Sequence, residues 1–301
     1  MEKDIIRLIQ ERGPLTGAEI IDILNCDGMD LWRTSHLSEN LITRRVGTRY
    51  LRLDRRIQGF ARLSPSILRE FLTFTAVGLQ SKPAALAKKT EDLSSHIHDV
   101  NKSKLDLAFH LVSGIARGIE NELGDDNQIC FIIGGDIAYD MAHDVPRPER
   151  STGKLVNGSD MDLVVVVDDQ FPEYLLKRLD DAIYKEKYRL LITPHLKEEI
   201  DYIVKNLSRV REQVRFDTFR HMVACKILQE GTLLYGNEDL FRTIKALLVK
   251  QGISQKLAEL ERKARDFRRN AEIQLLRGDS DGLKEENLYL FYPAEESEEF
   301  E

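Results

Sequence analysis

Apolar residues in the first quarter of the chain recur at helical spacing in short blocks. Ile5, Ile6, Leu8 and Ile9 predict a helix over 2–12, stopped by Gly13-Pro14. Thr16 is a good N-cap for a second helix through Leu24, with Ile20, Ile21, Ile23 and Leu24 on its apolar side. A third helix is expected from Asp30 to Glu39, after Asp27-Gly28. From Leu41 the period changes. A turn glycine, Gly47, precedes the alternating run Tyr50-Leu51-Arg52-Leu53, which predicts a strand. Ser66 caps an expected helix over 67–75, and Lys82-Pro83 marks a boundary. A long helical stretch then reaches Leu123 on Leu105, Leu107, Ala108, Leu111, Val112, Ile115 and Ile119.

The middle of the chain reads as strands between helices. Cys130-Phe131-Ile132-Ile133 is a short apolar strand that ends in Gly134-Gly135. Leu163-Val164-Val165-Val166-Val167 is too short for a helix and strongly β-branched, so it predicts a central strand buried on both faces. Phe171 to Lys187 reads as an amphipathic helix, and two short strands, 189–193 and 199–204, are expected around Pro194. A helix from Phe216 to Glu230 precedes Gly231-Thr232-Leu233-Leu234-Tyr235-Gly236. One or two helices follow from Glu238 to Leu276, with Gly252 as a break.

Chemistry enters with the polar residues that open the central strand. Asn157-Gly158-Ser159-Asp160-Met161-Asp162 leads directly into it. Residues two apart on a strand share a face, so Asp160 and Asp162 project side by side. Carboxylates held so close repel, and a divalent cation with oxygen ligands, most often magnesium, relieves the repulsion. His96 and His98, two apart on an expected helix, point to different faces and make no metal site.

A Gly-Gly turn followed by Ser-Asp-x-Asp at the head of a Val-rich strand resembles the DNA polymerase beta-like nucleotidyltransferase superfamily. The resemblance covers about residues 105–240, with an insertion from His143 to Leu155 between glycines and aspartates that the family usually lacks. It implies that Gly134, Gly135 and Ser159 bind the nucleotide. It also implies that Asp160 and Asp162 hold two Mg2+ ions, Mn2+ being the alternative. The family needs a third carboxylate on a neighbouring strand, to bind metal and deprotonate the attacking hydroxyl. Asp201 inside Ile200-Asp201-Tyr202-Ile203-Val204 is the expected one, with Glu199 as the fallback. The Leu-Tyr-Gly phrase ending at Gly236 is similar to one that follows the catalytic strands in many small members of the family. The insertion carries Pro146, Arg147, Pro148, Arg150 and Lys154; it reads either as a mobile cationic loop that closes over a triphosphate or as a solvated surface loop.

Three short helices and a strand pair look like a winged helix-turn-helix. Between Leu41 and Arg62 lie seven arginines and one acid, Asp54, the footprint of a wing on phosphate. Arg44, Arg45, Arg49 and Arg52 are the expected contacts to DNA or RNA. A dimerisation or docking role stays open, because the expected recognition helix carries Asp30 and Glu39 beside Arg33 and His36.

The 301 residues are enough for two domains or more, and 42% apolar with 32% charged residues describe a globular chain. The net charge of −7 argues against a protein coated in nucleic acid without excluding a local basic patch. Cys26, Cys130 and Cys225 lack metal-ligand spacing and read as small buried residues of a reducing, cytoplasmic protein. No signal-peptide pattern or membrane-length apolar run is seen, so no membrane partner is expected. Arg262, Lys263, Arg265, Arg268 and Arg269 form a basic block, read as a solvated helical face.

The expected fold is α+β: a winged helix over 1–65, a helical linker over 66–104 and a mixed-sheet nucleotidyltransferase core over 105–240. A helical C-terminal region over 241–290 and a disordered acidic tail over 291–301 complete it, and a homodimer is possible. The expected function is transfer of a nucleoside monophosphate from a nucleoside triphosphate to an unidentified acceptor, with nucleic acid as a candidate. The alternatives are a nucleotide-sensing transcriptional regulator and a toxin- or antitoxin-type protein modifier.

Overall fold

The computed structural model describes residues 1–123, 128–149, 152–278 and 284–292. It is an α+β structure in two compact units. The first begins with α1 (Glu2–Arg12), β1 (Leu15–Thr16), α2 (Gly17–Leu24) and α3 (Gly28–Leu37). Thr16 closes a full capping box, accepting from the Glu19 amide while the Glu19 carboxylate accepts from its own. Asp27 caps α3, which starts at Gly28, two residues before the expected Asp30.

Next come β2 (Leu41–Arg45), β3 (Tyr50–Leu53), β4 (Ala61–Ser64), α4 (Ile67–Thr73) and β5 (Thr75–Leu79). The strand pair expected between Leu41 and Leu53 does not form. β5 lies between β1 and β2, antiparallel to both, while β3 pairs with β4. The reason is burial: every residue of β5 is buried, so this apolar segment takes the central position. It also means that the stretch 66–104, expected to be helical, contains a strand.

The long helix α5 (Pro83–Leu123) belongs to both units, which divide at Ile97 and His98. The second unit then adds β6 (Ile129–Ile133), α6 (Gly135–Ala138), β7 (Arg147–Pro148), β8 (Leu155–Val156) and β9 (Met161–Val167). It continues with α7 (Glu173–Ile192), β10 (Ile200–Asn206), α8 (Leu207–Gln213), α9 (Phe219–Glu230), β11 (Thr232–Gly236) and α10 (Glu238–Lys250). The strand expected over 189–193 is instead the last turn of α7. Leu175, Leu179, Ile183 and Leu190 are all buried at helical spacing, and the helix runs on until the segment before Pro194.

The sheet of this unit is mixed, in the order β10-β9-β6-β11. β9 runs parallel to β10 and antiparallel to β6, and β11 is antiparallel to β6. One face carries Ile129, Phe131, Ile133, Met161, Leu163, Val165, Val167 and Ile200 against α5 and α7. Fully burying such side chains stabilises by roughly 1.5–3 kcal/mol each, which makes a one-residue slip of β9 costly. On the other face Lys205 donates to Gln213 of α8, and Ile227 of α9 lies beside Gly134. Among the described residues no helix is long and apolar enough to cross a membrane.

Two further helices, α11 (Ile253–Arg277) and α12 (Glu285–Phe291), close the described chain. From Glu259 onward they return to the first unit, where Ala271, Leu275, Leu290 and Phe291 share a core with Ile5, Trp32, Phe71 and Val77. This division differs from the boundaries expected at 65, 104 and 240. Phe291, assigned from sequence to a disordered tail, is buried; residues 293–301 lie outside the described ones.

Glu70 organises the charges of the first unit. It is 8% exposed and meets Arg49 through two bonds of 2.6 Å, Arg45 at 3.2 Å and Arg268 at 3.6 Å. Burial pushes its carboxyl up, but the Arg49 hydrogen bonds and the Arg268 and Arg45 charges outweigh it and hold Glu70 below the ordinary 4.5. A carboxyl lowered on folding stabilises fully above its unfolded value and loses that contribution as pH falls through the folded one. Glu70→Ala, which leaves the buried Arg268 and the half-buried Arg49 to share Glu272 as their carboxylate partner, is expected to destabilise by about 3 kcal/mol at neutral pH. Below pH 4.5 its thermal midpoint should fall less steeply than that of the wild type.

Candidate active site

Parallel pairing of β9 and β10 places Asp201 opposite Asp162. Asp160, two residues before Asp162, brings a third carboxylate to the same end of the sheet. One oxygen from each of Asp160, Asp162 and Asp201 lies within 4.8 Å of the others. All three are partly accessible. The donor set is entirely carboxylate oxygen, which suits a hard divalent cation. Asp201 is therefore where strand alternation places it, beside the first pair, although β10 is an edge strand.

The loops that deliver these acids are tied down by α5. Lys104 donates to the Asn157 carbonyl at 2.7 Å and bonds Glu198, so one buried ammonium fixes the approaches to both strands. Asn101 accepts from the Ala142 amide and donates to the Ile137 carbonyl, each at 3.3 Å. Neither residue carried a local sequence signal.

Chain cations face Asp160 and Asp201. Arg147 donates to the Gly158 carbonyl at 2.7 Å, pairs with Glu199 at 2.8 Å and lies 3.5 Å from Asp160. Lys187 of α7 bonds Asp201 at 2.9 Å. Burial raises the Asp160 carboxyl, the charges of Asp201 and Asp136 add to it, and Arg147 opposes them. Glu199, 6% exposed, is pushed up to about 7 by burial and by Asp160, Asp201 and Glu149, again against Arg147.

Among its described residues the insertion holds a short strand pair, β7 with β8. The buried Glu149 accepts from both the amide and the hydroxyl of Thr152. Arg147 turns inward to the acids, while Arg150 and Ser151 lie outside the described residues.

The glycine turn packs directly on the acids. Gly134 donates its amide to the Asp162 carbonyl at 2.9 Å, and Gly135 donates to Glu230 at 3.3 Å. Glu230 also accepts from Tyr139 and pairs with Lys226. The two amides implied to hold phosphate are thus already bonded within the chain. Ser159, also implied to bind nucleotide, is 2% exposed; its hydroxyl donates to Asp136 at 2.5 Å and accepts from the His143 amide.

Of the four arginines expected on nucleic acid, Arg44 and Arg45 are exposed on β2, although Arg45 also reaches Glu70. Arg49 is held by Glu70 and by Glu272 at 2.7 Å, and Arg52 is 8% exposed opposite Arg62. They do not form one open cationic surface, because Glu70 draws in Arg49 and part of Arg45, and Arg52 is buried on β3. In the basic block of α11, Arg268 is likewise buried, bonding Glu272 and the Pro65 carbonyl, while Arg262, Lys263, Arg265 and Arg269 are exposed.

No protein-family model matches the sequence, and no curated protein is detectably similar to it.

Gly135 shows how closely the turn and the acids fit. Its φ is +63°, and a Cβ built there would lie 1.8 Å from Oδ2 of Asp162. Gly135→Ala is expected to lower stability by about 1–3 kcal/mol and to displace the Asp162 carboxylate. A thermal melt and a Mn2+ titration check this; wild-type values in both would show that the turn does not hold Asp162.

Proposed function

We propose that this chain is a metal-dependent nucleotidyltransferase, moving a nucleoside monophosphate from a nucleoside triphosphate to an acceptor. The observation that carries this reading is the meeting of Asp160, Asp162 and Asp201 beside Gly134-Gly135. Asp160, Asp162 and Asp201 would hold magnesium, or manganese in its place. A divalent cation there would polarise the α-phosphate and lower the pKa of an incoming hydroxyl.

The chain's own residues prepare that chemistry. Lys104 and Arg147 hold the backbone carbonyls of Asn157 and Gly158, the two residues just before Ser159-Asp160, which steadies the approach to the Asp160 carboxylate. Asp201 faces the other two acids across the ladder and is the group to orient the acceptor hydroxyl. Glu199, pushed up to about 7, can take or release a proton near neutral pH. Phosphates at the glycine turn would exchange with the Glu230 carboxylate for the Gly135 amide. The exposed Arg44 and Arg45 keep a nucleic-acid acceptor in view for a first unit acting as a winged helix.

One observation favours a second reading. Arg147 and Lys187 already supply positive charge to Asp160 and Asp201, as a nucleotide-sensing regulator without metal would require. Turnover separates the two. Purified protein incubated with each labelled nucleoside triphosphate, Mg2+ or Mn2+, and total cellular RNA or protein should transfer label to one acceptor class. Asp160→Asn and Asp162→Asn should each cut transfer by at least about a hundredfold, since several kcal/mol of charge stabilisation go with the metal. Without metal their thermal midpoints should hold or rise, because a crowded carboxylate has been removed. Nucleotide binding without transfer would favour the sensor; a variant with most of the wild-type turnover would remove the metal mechanism.

A further inference from the structure

Arg147 and Lys187, cations at the acid cluster, are held very differently. Arg147 has two anchors outside the three aspartates, the Gly158 carbonyl and Glu199, and its contact with Asp160 is the longest of its three. It keeps its place whether or not Asp160 takes another partner. Lys187 has no such second anchor. Among the described residues its ammonium bonds Asp201 alone, and both side chains stay partly open, 29% and 23% exposed. Its four-carbon stem is flexible, so a small rotation carries the charge out to water.

Asp201 cannot serve both partners well. Its bonded oxygen, Oδ1, carries an ammonium at 2.9 Å, at the cluster where three carboxylates approach within 4.8 Å. A divalent ion bound there would sit close to that ammonium, and like charges at such range repel strongly away from bulk water. The partner with the shorter list of bonds and the more mobile stem gives way.

We propose that Lys187 is the resident counter-ion of Asp201, displaced when a divalent cation binds, and that it sets the metal concentration at which the site fills. This rests on reading the three aspartates as a metal site. Arg147 stays and Lys187 exchanges. Coupling of this kind is reciprocal: whatever Lys187 takes from metal affinity, metal takes from the Lys187–Asp201 bond.

The test uses the full chain and Mn2+ alone, with no nucleotide, at fixed ionic strength. Free Mn2+ is read by electron paramagnetic resonance. Lys187→Met should bind Mn2+ at least about fivefold more tightly than wild type, the low end of ordinary coupling. Lys187→Arg, whose planar fork grips a carboxylate through two bonds, should bind it no more tightly than wild type. In parallel, acylation of Lys187 in the wild-type chain, read by mass spectrometry, should rise when Mn2+ is added and return when it is chelated. This arm needs no variant to fold. Equal or weaker Mn2+ affinity in Lys187→Met, or Lys187 reactivity unchanged while Mn2+ binds, overturns the exchange and leaves the metal site standing. No Mn2+ binding by either protein overturns both.

Discussion

Three carboxylates at one end of two parallel strands must be brought together against their own repulsion, and the apolar ladder beneath them does it. Asp162 faces Asp201 because Val164 faces Ile203 and Val166 faces Lys205 in an unbroken register. Burial of Leu163, Val165 and Val167 on one side fixes that register, since a slip of one residue would turn the acids into the core. The surrounding charges follow from the same constraint. Lys104 holds the backbone, Arg147 and Lys187 meet the outer acids, and the missing Cβ of Gly135 leaves room for the Asp162 carboxylate.

The first unit handles charge in another way. Glu70 sits in the interior, and Arg45, Arg49 and Arg268 are drawn toward it, with Glu272 bridging Arg49 and Arg268. A run of arginines that reads from sequence as a phosphate-binding surface is thereby divided between structural ion pairs and exposed positions. Charge counted along the chain is not charge available to a partner.

What was legible in the sequence had short-range causes. Asp160, Asp162 and the buried Val run follow from the two-residue period of a strand, and Asp201 follows from alternation within the next apolar strand. Thr16, Ser66 and Gly252 marked helix boundaries through capping and turn chemistry. What was missed depends on tertiary neighbours. The partner of β2 is β5, about thirty residues on and beyond a helix. Leu190-Leu191-Ile192 fits strand or helix equally by pattern, and only packing of α7 on the sheet decides. Lys187 and Glu230 reach the site from helices whose own periodicity says nothing of aspartates or glycines elsewhere.

Diffraction at the manganese absorption edge, from crystals of the full chain soaked in Mn2+, tests the central claim most directly. An anomalous peak about 2–2.6 Å from carboxylate oxygens of Asp160, Asp162 and Asp201 together is the predicted result. Saturating Mn2+ with no peak at these three residues, or a peak held by other groups alone, would contradict the account.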